Sequence, residues 1–251
     1  MAGHSKWANI KHRKGAADKK RGKIFSRLAK EIMVAAKMGG GDASANPRLR
    51  SALTSAKAVN MPNTNIDRAI KKGLGELGDV VFEEIVYEGY GAEGVAVMIE
   101  CLTDNRNRSA SEVRMTLDRN CGNLATSGAV AWMFHRQAHF VIAGENADED
   151  KLMEIVLDAG AEDIEVEDGI AEIWGPPEAL ESIMEALAAA GIETEEAGVI
   201  RRPENTIELK DVEKAKQVLR LIDRLEDLDD VQQVTANFEI DDSIADQLDE
   251  D

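Results

Sequence analysis

Gly89–Gly94 reads GYGAEG, the G-x-G-x-x-G spacing that can cradle a dinucleotide pyrophosphate at the start of a helix. That chemistry needs a helix immediately after the glycines. Here GVAVMIECL follows, a β pattern, so the glycines are assigned to a turn between two strands and no cofactor is expected. His135 and His139 form H-x₃-H. On a helix this would place two metal ligands on one face. On the strand expected here it separates them by about 13 Å, too far for one zinc ion. No D-x-[DN]-x-[DN]-G loop occurs among the 48 Asp and Glu, and no Ser, Cys or Lys stands out as an activated nucleophile. The acidic clusters Glu145–Asp150, Glu193–Glu196 and Asp227–Asp230 fall at expected element ends, where carboxylates cap helices and stay wet. These residues predict a protein that is not an enzyme and holds no metal.

Cationic residues give a stronger signal. The segment MAGHSKWANIKHRKGAADKKRGKIFSRLAK is basic, with Lys6, Lys11, Arg13, Lys14, Lys19, Lys20, Arg21, Lys23 and Arg27, and with Trp7 and His12 among them. Residues 1–72 hold 17 Lys and Arg against 4 Asp and Glu, whereas residues 73–251 hold 13 against 44. The formal net charge of −18 therefore averages two unlike bodies, which points to a polyanion partner for the basic one. Lys and Arg neutralise phosphates and release counterions, and an indole can stack on an unpaired base. A second candidate lies in TDNRNRSASEVR. There Arg106 and Arg108 precede Ser109, expected to cap a helix with Glu112, so they could contact a phosphate at its N-terminus. The competing reading pairs them with Asp104 or another carboxylate, and it is slightly favoured. No motif reads a base sequence.

The elements that must position these residues follow from periodicity. Residues 1–21 lack an apolar stripe and are expected as a mobile arm. Phe25, Leu28, Ile32 and Ala36 recur at helical spacing up to Gly39–Gly41. Asn46-Pro47 caps a second helix, and Pro62-Asn63 starts a third that ends at Gly73. Together they make a bundle whose outward faces present Arg48, Arg50, Lys57, Arg68, Lys71 and Lys72. Next, EEIVYEGY and GVAVMIECLT read as strands, then a helix from Ser109 to about Asn120, then a strand at VAWMF. From His139 the order is strand, helix, strand, strand, helix, strand, with an Asp168-Gly169 hairpin signal, which is the ferredoxin-like order. TIELK, a helix from Asp211 to about Leu228 and the strand VQQVTANFEI close the chain.

The fold class expected is α+β multidomain. A basic arm and three-helix domain over 1–77 precedes two α/β domains: one over 78–136 and 203–240, and a ferredoxin-like one over 137–202 inserted in it. An acidic, solvated tail spans 241–251. No apolar run approaches the roughly 20 residues needed to cross a bilayer, and no secretory h-region is read at the start. Cys101 and Cys121 are expected as buried free thiols in a reducing compartment.

GHSKWANIKHRK with KKRGKIFSRLAKEI, NMPNTNIDRAIKKG, YEGYGAEGVAVMIECLTDNRNRSASEVR and GAVAWMF resemble the YebC family over nearly the whole chain. That family is described as probable transcriptional regulators in bacteria and includes the mitochondrial translational activator of cytochrome oxidase. The resemblance implies three domains, a cytoplasmic location, no catalytic residues, and roles for Lys6, Trp7, Lys11, His12, Arg13, Lys14 and the loop Asp104–Arg108. Cys121 and Ala125 stand where the family commonly has glycine. The function expected is a non-enzymatic, DNA-binding transcriptional regulator. The alternatives are a translation factor bound to the ribosome or to ribosomal or transfer RNA, and an acidic adaptor for basic proteins. No cofactor, membrane or small-molecule substrate is expected.

Overall fold

A computed structural model describes residues 18–78, 81–167 and 169–248. Three helices open it: α1 (Asp18–Gly39), α2 (Pro47–Ala58) and α3 (Asn63–Gly73). Their apolar stripes meet in one core of Ile32, Ala35, Leu49, Ala52, Ala56, Met61, Ile66 and Ala69. Each helix alone is short, so this shared burial holds them together. Gly73 ends α3 against α1, where a Cβ would lie 2.3 Å from the Met33 carbonyl. Asp18–Arg21, expected in the arm, form the first turn of α1, since Lys and Arg are good helix formers that continue the helix backwards.

Asn46 has two functions. Its Oδ1 accepts from Leu49 N at 3.1 Å, capping α2, and its Nδ2 donates to the carbonyls of Ala35 and Gly40 at 2.8 and 2.9 Å. The residue is buried, so nothing replaces it cheaply. Asn46→Ala is expected to cost about 2–4 kcal/mol of stability, combining a lost cap with stranded carbonyls. Asn46→Asp, which keeps the acceptor only, should recover part of that in urea unfolding.

β1 (Glu83–Tyr90) and β2 (Ala96–Thr103) form an antiparallel hairpin, followed by α4 (Arg106–Arg119) and the short β3 (Asn123–Leu124). The GYGAEG glycines therefore serve a strand-to-strand turn. At Gly89 a Cβ would sit 2.9 Å from the Asn123 carbonyl and 3.1 Å from Leu117, so glycine lets β3 and α4 close onto β1. Asn105, not Ser109, caps α4, accepting from Arg108 N at 3.1 Å. After α4, Cys121 takes a left-handed φ of 60° and is exposed. Glycine adopts that conformation without strain, and the expectation of a buried thiol there is corrected. Cys101 is buried, and burial, with the Asp230 charge adding to it, pushes its thiol up to about 12.

The second half begins with β4 (Phe134–Ala143), α5 (Glu149–Val156), β5 (Asp163–Glu167), β6 (Ile170–Gly175), α6 (Leu180–Ala189) and β7 (Glu196–Pro203). The four strands make an antiparallel sheet in the order β5-β6-β4-β7. One face carries Phe140, Ile142, Ile164 and Ile173 into a core with Leu152, Val156, Ile183 and Leu187 from the helices. On the other face His139 stacks on Trp174 at 4.1 Å and Arg202 lies 4.5 Å over the same ring. Arg202 also bonds Asp163 and Glu165 at 2.8 and 2.6 Å. VAWMF is no separate strand: Ala131–Met133 is a 3₁₀ turn and Phe134 starts β4.

β8 (Ile207–Leu209), α7 (Val212–Glu226), β9 (Val231–Ala236), β10 (Phe238–Ile240) and α8 (Asp242–Leu248) complete the fold. β9 extends the first sheet to β3-β1-β2-β9, while β8 and β10 form a parallel two-stranded sheet. VQQVTANFEI is thus two strands, parted at Asn237, whose Nδ2 donates to the Asn205 carbonyl. The expected solvated tail is helical to Leu248, with Ile244 and Leu248 buried; residues 249–251 lie outside the described residues. The described residues divide into two compact units, 18–129 with 217–234, and 130–216 with 235–248.

Candidate nucleic-acid interface

Lys6, Trp7, Lys11, His12, Arg13 and Lys14 lie outside the described residues. Lys19, Lys20 and Arg21 fall in the first turn of α1.

The next turns of α1 face inward. Lys23, Arg27 and Lys30 share one helix face and meet the end of α7. Lys23 Nζ lies 2.8 Å from Asp227 Oδ1 and 2.9 Å from the Asp227 carbonyl. Arg27 donates to the Glu226 carbonyl, and Lys30 Nζ donates to the Asp229 carbonyl at 2.8 Å. Three cations thus satisfy carbonyls at the negative C-terminal end of a helix, which is where cations are stabilising. Burial lowers the Arg27 guanidinium, with Glu226 and Asp227 acting against that effect. Lys23 and Arg27, expected with the basic segment as nucleic-acid contacts, thus sit on an internal contact. Because Lys23 is already paired, Lys23→Gln is expected to reduce nucleic-acid affinity less than Lys19→Gln, measured by anisotropy at fixed salt. An equal loss from both would contradict this division.

Asp230 is the centre of that contact. It is 2% exposed and receives Lys30 Nζ at 2.8 Å, Arg108 Nη2 at 2.7 Å and Arg108 Nε at 3.2 Å. The hydroxyls of Thr103 and Ser109 approach its Oδ2 at 2.9 and 2.8 Å. Burial by itself would raise this carboxyl. The bonds from Lys30, Arg108, Ser109 and Thr103 together outweigh it and hold the group well below the usual carboxylate range. The expectation that Asp227–Asp230 is a wet turn is corrected at Asp230. Sequence offered only a weak signal for it, an acid directly before the buried strand residue Val231.

The two arginines of the Thr103–Arg114 stretch separate. Arg108 bonds Asp104 at 2.9 Å as well as Asp230, and those carboxylates push its guanidinium still higher. Arg106, in the first turn of α4, is exposed and makes no side-chain hydrogen bond or ion pair among the described residues. Arg48 is likewise engaged, by Glu31 at 2.7 Å and by Glu84, and Arg50 donates to the Ala43 and Ser44 carbonyls. Lys57, Arg68, Lys71 and Lys72 have no such partner among the described residues. The cations of the basic half therefore fall into two sets, one that builds the fold and one left to solvent.

No group of three or more His, Cys, Asp and Glu among the described residues could hold a metal ion. His135 lies 3.4 Å from Glu204, and His139 lies 3.4 Å from Glu172. No described helix is long and apolar enough to cross a membrane.

A family model described as the TACO1/YebC protein N-terminal domain matches residues 5–76, and one for the TACO1/YebC second and third domain matches residues 82–238. The chain belongs to the TACO1/YebC family. A relative from Syntrophobacter fumaroxidans, named "Probable transcriptional regulatory protein", is 52% identical over 248 residues, covering 99% of this chain and all of its own. One of the same description from Fusobacterium nucleatum is 51% identical over 249 residues, with 99% and 100% covered. The crystal structure of a conserved hypothetical protein from Aquifex aeolicus superposes with a TM-score of 0.83 at 45% identity, covering 90% of this chain and 93% of that one. That family structure agrees with an N-terminal helical region followed by two sheet-containing α/β regions.

Proposed function

We propose that this TACO1/YebC family member is a non-enzymatic regulator of gene expression that binds nucleic acid, acting as a DNA-binding transcriptional regulator. The binding part is the arm and helical domain over 1–77. One observation carries the reading: the excess of basic over acidic residues lies in that part, 17 Lys and Arg against 4 Asp and Glu over residues 1–72. The names of the bacterial relatives support the transcriptional assignment. Lys6, Trp7, Lys11, His12, Arg13, Lys14, Lys19, Lys20 and Arg21 form the primary contact set in this proposal, with Arg106 the stronger of the two loop candidates because Arg108 is held by two carboxylates.

A specific feature favours a second reading, that of an RNA- or ribosome-bound translation factor. Residues 137–202, expected as the ferredoxin-like domain, carry 18 Asp and Glu against 3 Lys and Arg. Bare duplex DNA offers that surface only repulsion, screened over about 8 Å at physiological salt. A ribonucleoprotein offers basic protein as well as phosphate. Sequencing the nucleic acid crosslinked to the full chain in cells tests the two. Enrichment of promoter DNA is expected; crosslinks confined to ribosomal or transfer RNA would move the assignment to translation, and no nucleic acid above background would remove both.

A further inference from the structure

Residues 134–203 hold none of the proposed nucleic-acid contacts, yet one of their helices presents a surface that the fold itself does not explain. α5 buries Leu152 and Val156 against the sheet. Its outward stripe is Asp150, Met153, Glu154, Leu157 and Asp158, spaced as successive turns of one face. Leu157 is 58% exposed and Met153 39%, although the core beneath them is complete. A single exposed apolar residue is ordinary. Two neighbours on one stripe, set among Glu149, Asp150, Glu154 and Asp158, make a small apolar centre with an acidic rim.

The rim is placed against the helix's own interest. Glu149 and Asp150 lie in the first turn, where carboxylates favour the macrodipole. Glu154 lies in the last turn and Asp158 just beyond it, at the negative end, where no basic residue is present. Carboxylates at that end oppose the dipole. Neither of these two, nor Glu149 or Asp150, has a cationic partner among the described residues. The one lysine of the helix, Lys151, donates to Asn146 instead. Beside α5, α6 exposes Glu181 and Glu185, and the turn before it exposes Glu178, so carboxylates outnumber the single lysine of this neighbourhood.

We propose that the outer face of α5 docks a Lys- and Arg-rich segment of a partner protein, with Met153 and Leu157 as the apolar centre and Glu149, Asp150, Glu154 and Asp158 as the charged rim. Charge complementarity selects the occupant. Nucleic acid and anionic lipid surfaces are repelled, and a second copy of the same face carries the same sign. A basic segment satisfies the carboxylates, and its apolar residues cover the leucine and the adaptable methionine.

The test uses the full chain and a fluorescent 14-residue peptide of lysine and leucine at helical spacing. Met153→Ser with Leu157→Ser should weaken binding about tenfold. Glu154→Gln with Asp158→Asn should weaken it and flatten its salt dependence. Nucleic-acid affinity should be unchanged in both variants, which separates this proposal from the preceding one. A photo-crosslinking residue at position 157 in cells should capture a partner through a segment rich in Lys and Arg. Equal peptide binding by the Met153/Leu157 variant would reduce the interaction to bulk charge and overturn the proposal. So would crosslinks from position 157 to nucleic acid or to a second copy, or none above background.

Discussion

Asp230→Asn is expected to lower folding stability by about 3–5 kcal/mol, the range for removing one partner from a buried charge network. The change is nearly isosteric, so the loss comes from chemistry and not from a cavity. Lys30 and Arg108 would each lose the negative charge they face, and the asparagine amide would present two donors where donors already converge. The same site gives stability a pH signature. The Asp230 carboxyl is held below its unfolded value, so its contribution is present above the ordinary carboxylate range, near pH 4, and is lost progressively as pH falls below it. Urea unfolding of the wild type should therefore show a steeper decline below about pH 4 than Asp230→Asn does. Parallel pH profiles would show that Asp230 does not act as the ionised centre of the network.

This result also bears on how the acidic residues are to be probed. Neutralising the whole run Asp227–Asp230 would mix binding with folding, because Lys23, Arg27 and Lys30 all bond within residues 226–230. Lys23–Asp227 is half-exposed, and an exposed pair contributes about 0–1 kcal/mol. Asp230 dominates the contact, so stability losses should concentrate there.

Much of the helical half was legible because its signals are local. Asn46-Pro47 and Pro62-Asn63 mark the starts of α2 and α3, and the apolar stripes of Leu49, Ala52 and Ala56 and of Ile66 and Ala69 are the residues buried there. The strands β1 and β2 were legible for the same reason. What sequence concealed was non-local. Asp230 gathers Lys30, Thr103, Arg108 and Ser109 from 121 to 200 positions away, and no window of the chain contains that information. Ser109 illustrates the confusion: its S-x-x-E pattern imitates a capping box, but its hydroxyl turns to Asp230 while Asn105 caps the helix. VQQVTANFEI reads as a single β run, and only the pairing of β8 with β10 separates it at Asn237.

Of the candidate contact residues, the sequence indicated which segment is basic but not which cations are free. Spacing alone puts Lys19, Lys20, Arg21, Lys23 and Arg27 in one series. The structure sends Lys23 and Arg27 to the end of α7. Arg106 and Arg108 look equivalent in sequence, and a helical turn starting at Asn105 points one to solvent and the other to Asp230.

Deleting residues 1–21 is expected to remove most of the nucleic-acid affinity while leaving the fold nearly intact. The deletion takes away seven cations, Lys6, Lys11, Arg13, Lys14, Lys19, Lys20 and Arg21, and leaves the described core of the helical domain whole. Its melting should match the full chain closely. If each cation neutralises one phosphate of a duplex, the slope of log affinity against log salt should become shallower by about six. At low salt that difference amounts to several decades of affinity. Substituting Lys23 and Arg27 alone should leave the slope nearly unchanged, because both are already bonded within the protein.

The most direct measurement is therefore the salt dependence of binding to a fixed duplex DNA and to an RNA of equal length, for the full chain and for the deletion lacking residues 1–21. A steep slope for the full chain and a shallow one for the deletion are predicted for whichever nucleic acid is the ligand. Equal slopes for the two proteins on both nucleic acids would contradict the claim that the basic N-terminal segment is the binding element.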